Sequence, residues 1–182
     1  MIEIRSFLRG ETNELHRELD AIAGGFSSHA DYARFLQGTF RHRAPVETSL
    51  VASAAGARSA WHPRQLLPML EQDLEDLMAP RPPADPFRLS NDMASFLGAA
   101  YVLEGSTLGA RILVKEADAL GFGPEIGARY LSAQASSLDS WRDLLVELDR
   151  LDRQQWDAAA RSARSVFTHA IQAFSPEALP TA

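Results

Sequence analysis

An all-α fold is predicted for this chain, and three observations predict it. Apolar residues recur at three-four spacing along most of the 182 residues. Runs of alternating β-branched residues, the mark of half-buried strands, are missing. Clusters of Gly and Pro punctuate the periodic segments, at Gly24-Gly25, in APRPPADP at 79–86, and at Gly121, Gly123 and Pro124. With no internal repeat, the expectation is a single-domain multi-helix bundle over 1–182, with its core at about 3–175 and antiparallel helices joined by short loops around that core.

Ile4, Leu8, Leu15, Leu19 and Ile22 predict a first amphipathic helix over 3–22. Ser28 and Asp31 have the form of a capping box and open a second, through Tyr32, Phe35, Leu36 and Phe40, with a bend at Pro45 and an end near Ala55. Pro63 suits the first turn of a third helix with the stripe Leu66, Leu67, Leu70, Leu74 and Leu77. Ser90 or Asn91 caps a long fourth helix, Met93 to about Leu120. A short helix over Glu125 to Ala133 follows, then one marked by Leu138, Trp141, Leu144, Leu145 and Leu148, and a last one marked by Trp156, Ala160, Phe167, Ile171 and Phe174.

Composition removes several function classes. An apolar fraction of 46% with 23% charged residues is that of an ordinary folded domain. The absence of cysteine excludes disulfides, zinc-thiolate sites, iron-sulfur clusters and thiol nucleophiles, so a metal here must use histidine or carboxylate. A net charge of -6 argues against nucleic acid as a partner. MIEIRSFLRGET lacks the continuous apolar stretch of a signal peptide, and Phe96 to Val114, interrupted by Glu104 and Arg111, is barely long enough to span a membrane; the expectation is a cytoplasmic protein with no membrane segment.

None of the five histidines belongs to a Glu-x-x-His di-iron repeat or an HExxH zinc motif. No Ser-His-Asp triad, phosphate loop or Rossmann fingerprint is present, and the acidic pair Glu75-Asp76 and the charged run Glu147 to Arg153 have the character of solvated helix faces. His16 stands apart because it borders the apolar stripe of a strongly periodic helix, where a neutral imidazole nitrogen is a metal donor. Asp20, four residues on, shares that face and can accept a hydrogen bond from the other ring nitrogen. Thr12 lies one turn before His16, and Arg9 lies roughly 10 Å from it along the axis, at a reach suited to a carboxylate on a large ligand. The bland reading is a surface histidine among solvated charges.

AAYVLEGSTLGARI, at 99–112, places Gly105 and Gly109 one turn apart in an apolar helix. Each glycine costs roughly 1 kcal/mol relative to alanine there, so the pair needs a reason: a flat ligand against the backbone, or close packing against another helix.

The pattern from Leu8 to Asp20 (LR-x-x-T-x-x-x-H-x-x-x-D), RHRAPVE at 41–47 and YVLEGSTLGA at 101–110 together resemble the haem oxygenase family, over about residues 5–174 and most closely its bacterial biliverdin-producing, phytochrome-associated branch. The resemblance implies that haem is both substrate and cofactor, opened oxidatively to biliverdin with release of carbon monoxide and ferrous iron. It implies His16 as the iron ligand, Gly105, Ser106 and Gly109 on the distal side where dioxygen enters, and Phe167 as a wall of the pocket. Arg142, after Trp141 as in bacterial relatives, is a second propionate candidate beside Arg9, with a surface salt bridge as its alternative. An external electron donor, a reductase or ferredoxin, is implied, and a phytochrome is the candidate acceptor of the product. Two departures stand out: Ala110 where many relatives carry a further glycine, and Arg129 to Ser132 where paired phenylalanines are common. They leave open a non-catalytic haem-binding or interaction protein on the same fold.

Overall fold

Helix α1 (Ile4–Ala23) ends at Gly24, whose φ of 57° suits a residue without a side chain and whose N–H bonds the carbonyl of Asp20. It belongs to a computed structural model that describes residues 3–175 and holds, among them, eight α-helices and no strand; the outer ends of the predicted 1–182 span lie outside the described residues. Helix α2 (His29–Val51) is capped as predicted, with Ser28 Oγ accepting from the N–H of Asp31 at 3.1 Å. It runs through Pro45 and stops short of Ala55.

Helix α3 (Leu67–Asp76) starts later than predicted, with Pro68 rather than Pro63 in its first turn. The cause is a long-range cap: the buried carboxylate of Glu47 on α2 accepts from the N–H groups of Leu66 at 3.1 Å and Leu67 at 3.0 Å. Asp73 on α3 does the same for the later, short helix α6 (Arg129–Ala135), accepting from Arg129 N–H at 3.0 Å and Tyr130 N–H at 2.8 Å. That cap moves the short helix past the predicted 125–133.

The single predicted fourth helix is two: α4 (Met93–Gly105) and α5 (Thr107–Ala119), broken at Ser106. The hydroxyls of Ser106 and Thr107 donate back to the carbonyls of Leu103 and Glu104 at 2.8 and 2.7 Å, in competition with the helix ladder beside a glycine. The cap of α4 is Asp92, which accepts from Ser95 N–H at 2.8 Å, while Asn91 instead receives Ala55 N–H. Helices α7 (Leu138–Asp149) and α8 (Trp156–Phe174) fall where the periodicity places them.

The expected single core is divided. One apolar cluster joins α1, α4, α7 and α8 through Leu8, Phe96, Leu103, Leu144 and Val166. A second joins α2, α3, α5 and α6 through Tyr32, Leu36, Leu70, Ala110 and Leu131. Along both α2 and the α4–α5 pair, buried polar residues mark the changeover from one cluster to the other: Arg43 and Glu47 on one, Glu104 and Thr107 on the other. Residues 77–92 form a longer connection than predicted, strapped down by Gln37 donating to Pro80 and Ser49 donating to Phe87 carbonyls.

Two charged segments read as solvated are partly structural. Asp76 pairs with Arg129 and accepts from Gly127 N–H, and Arg153 lies over the rings of Phe7 and Trp156.

Candidate functional site

Helix α1 turns its apolar residues onto α8 and leaves His16 at the margin, with its side chain 59% exposed. Nδ1 of the imidazole lies 3.0 Å from the Asp20 carboxylate, so the ring is oriented and Nε2 is the nitrogen available as a donor. Phe167, on α8, meets the imidazole edge-on at 5.7 Å between centroids. The structure thus brings together His16, Asp20 and Phe167 from two helices.

Thr12 is buried, and its hydroxyl donates within α1 to the carbonyl of Leu8 at 2.8 Å. Arg9 is exposed, and its charge, with that of Arg5, acts on Tyr101 of α4. Burial raises the Tyr101 phenol above its ordinary value against the pull of the two arginines. Tyr101 packs on Trp141 at 5.5 Å, and Trp141 in turn lies 3.7 Å from where a side chain on Gly105 would begin. The glycine helix is therefore flanked at Gly105 by an aromatic pair, Tyr101 and Trp141, on whose tyrosine the Arg9 charge acts. Arg142 is held by Asp139 at 3.0 Å in an exposed pair, the alternative noted from the sequence.

Helix α5 presents a bare apolar face. Leu108 is 57% and Ile112 65% exposed, and a Cβ built on Gly109 between them meets no atom within 4 Å. Close helix packing is therefore not the reason for Gly109. The glycine that packing does demand is Gly98, where a Cβ would lie 2.1 Å from the carbonyl oxygen of Ala159 on α8. Ser106 is exposed with its hydroxyl turned to Leu103. Beyond α1, Phe26 N–H donates to Glu116 of α5 at 3.2 Å, while α1 packs mainly on α8 and α5 mainly on α6.

The two departures fall away from this face. Ala110 is buried in the second cluster, and so are Tyr130 and Leu131.

A buried polar group went unread in the sequence. Arg43, fully enclosed, donates to Glu47 at 2.7 Å, to Gln134 at 3.0 Å and to the Tyr130 hydroxyl at 3.4 Å. Gln134 donates in turn to the Thr107 hydroxyl at 3.2 Å, which brings the group to the α4–α5 break. The four-residue spacing of Arg43 and Glu47 within RHRAPVE was the available signal. Glu104 registers in the sequence only as a charge within an apolar run.

Among the described residues no group of three or more His, Asp or Glu side chains is placed to hold a metal ion. A lone outward imidazole suits a metal that brings its own equatorial donors, and the open face at Leu108, Gly109 and Ile112 suits a flat apolar ligand. These residues fit haem.

Fold and site together define an all-helical protein with one oriented imidazole and a helix pair broken beside a glycine. The chain is 31% identical over 166 residues to "Heme oxygenase PigA" of Pseudomonas aeruginosa, covering 86% of this chain and 83% of that protein. It is 29% identical over 170 residues to "Heme oxygenase" of Xanthomonas campestris pv. campestris, covering 89% and 99%. The crystal structure of the NO- and CO-bound heme oxygenase of Neisseria meningitidis shares the fold, with a TM-score of 0.69 over 96% of this chain and 91% of that one at 22% identity. No family model matches. The chain belongs to the haem oxygenase family.

Proposed function

We propose that this protein is a haem oxygenase, an enzyme that cleaves haem to biliverdin with release of ferrous iron and carbon monoxide. The relatives named heme oxygenase support the activity. The observation in this structure that carries it is the His16 imidazole, oriented by Asp20 through Nδ1 with Nε2 as its free donor.

Bound haem supplies the redox-active iron and the ring that is opened. His16 would hold the iron, with Asp20 fixing the ring orientation and strengthening the donor. Phe167 and the α1 face, with Thr12 buried behind it, would wall the site beside His16. Gly105 and Gly109, without side chains, would let a flat ligand approach the α4–α5 backbone, and Ser106 sits at the break between them. Arg9, and Arg142 when it leaves Asp139, would bind the propionates.

An external electron donor, a reductase or ferredoxin, serves the reaction, and a phytochrome is the candidate acceptor of the product. The setting is the cytoplasm; no helix among the described residues is long and apolar enough to cross a membrane. The test is an anaerobic haem titration followed by reductant in air. Loss of the Soret band with appearance of biliverdin absorbance is expected. A Soret band that persists with every reductant identifies a haem-binding protein, and no Soret band on titration removes the site.

A further inference from the structure

Two imidazoles meet between α2 and α8. Nδ1 of His42 lies 3.4 Å from Nδ1 of His169, and Nε2 of His169 lies 3.1 Å from the backbone carbonyl of Asp85 in the 77–92 connection. A carbonyl only accepts, so His169 carries its hydrogen on Nε2 and, in the neutral ring, leaves Nδ1 as an acceptor. The hydrogen between the two rings therefore belongs to Nδ1 of His42. This arrangement satisfies all three groups, and it needs both rings neutral.

The same ring seats the middle of the connection on α8. His169 holds the Asp85 carbonyl, and Phe87 meets its ring edge-on at 5.6 Å. Both ends of the connection are fixed elsewhere, by Gln37 to Pro80, Ser49 to Phe87 and Asn91 to Ala55. Arg41 approaches the Asp85 carboxylate at 3.6 Å, but that side chain is 80% exposed and the pair holds little. A cavity of about 450 Å³, with Phe87 and Arg88 on one side and Ser165, Thr168 and Gln172 on the other, opens beside His169 and gives its ring room to turn.

The surroundings are set against a further cation. Arg41 and Arg43 of α2 and Arg88 of the connection stand around the pair, while the carboxylates, Asp85 and Glu47, face Arg41 and Arg43. Burial, with the charges of His169 and Arg43, lowers His42 to about 3, so a proton added in mild acid goes to the half-buried His169. It enters at Nδ1, the one nitrogen of that ring without a hydrogen, and sets N–H against the N–H of His42. Among the described residues no acceptor meets Nε2 of His42, so moving the His42 hydrogen there leaves it unbonded to protein.

We propose that His42 and His169 form a latch, closed only while both rings are neutral, and that a proton on His169 turns its ring toward the cavity and releases the connection around Asp85 from α8. The bond to the Asp85 carbonyl and the edge contact with Phe87 are lost in that turn. The ties at Pro80, Phe87 and Asn91 stay, so the release is local and the helices keep their places.

Nitrogen NMR of the imidazoles at neutral pH should find the His42 hydrogen on Nδ1 and the His169 hydrogen on Nε2. The chain has no cysteine, so a spin label on A84C reports the connection alone. From about pH 7.5 to about pH 5.5, the range in which imidazoles charge, the ratio of mobile to immobile label should rise by up to about tenfold per pH unit, the slope of one proton. Helix content by circular dichroism should stay constant meanwhile. H169Q, which keeps an N–H for the Asp85 carbonyl and takes up no proton, should hold the label immobile throughout. If H169Q fails to fold, the two tautomers and the pH slope of the labelled chain with His169 intact carry the same test. A label equally immobile across the range, an undiminished response in H169Q, release only with loss of helix, or a His42 hydrogen on Nε2 at neutral pH would overturn the proposal.

Discussion

The carboxylate of Asp20 holds Nδ1 of His16 at 3.0 Å, one turn along α1, and thereby commits Nε2 to whatever lies beyond the helix. Both side chains are largely exposed, so their bond adds little to folding. H16A should leave the urea midpoint within about 0.5 kcal/mol of wild type. The same variant should change the ligand-field spectrum of bound haem, and D20N should weaken haem binding about tenfold. An unchanged spectrum in H16A would refute His16 as the iron ligand.

Gly98 and Gly109 separate packing from function. A methyl at Gly98 meets the backbone of Ala159 at 2.1 Å, and backbone cannot step aside, so G98A should cost about 3 kcal/mol in urea denaturation. A methyl at Gly109 meets nothing, so G109A should keep or raise stability by up to about 1 kcal/mol through helix propensity. G109A should nonetheless slow haem turnover, because the methyl enters the face proposed for the ligand.

Glu47 is expected to dominate the stability of the buried polar layer. Its removal strands the enclosed Arg43 guanidinium and the N–H groups of Leu66 and Leu67. E47A should therefore cost about 3–5 kcal/mol, read as a shift in the denaturation midpoint.

Acid sensitivity should come in part from His42. Its Nδ1 lies 3.4 Å from Nδ1 of His169, and burial, with the charges of His169 and Arg43, lowers it from 6.5 to about 3. Between those values the unfolded chain binds a proton that the folded chain refuses. The stability held above the ordinary value is therefore lost as pH falls toward about 3. H42F should flatten this part of the stability–pH curve; a slope identical to wild type would assign the acid loss elsewhere.

Much of the fold was legible because local patterns and tertiary packing agree. The stripes of α1, α7 and α8 and the Ser28 cap are properties of a few neighbouring residues, and they reappear in place. The misplaced starts of α3 and α6 share one cause: their caps, Glu47 and Asp73, come from other helices, and no local pattern reports a partner far along the chain. Ser106 was legible as a residue of interest, but the break there depends on hydroxyls turned back onto Leu103 and Glu104.

The candidate site divides in the same way. His16 with Asp20, and Gly105 with Gly109, are visible in sequence because each pair is spaced one helical turn apart. Phe167 beside His16, the Tyr101–Trp141 pair beside Gly105, and the enclosure of Arg43 and Glu104 join residues on different helices. By itself the amino-acid order determined helix content, most helix faces and the chemistry available on each, since these follow from spacing and side-chain type. Only the tertiary structure decided which glycine serves packing and which leaves a face open, and which carboxylate is buried with one oxygen lacking a hydrogen-bond partner among the described residues. Those properties depend on what another helix places within a few ångströms.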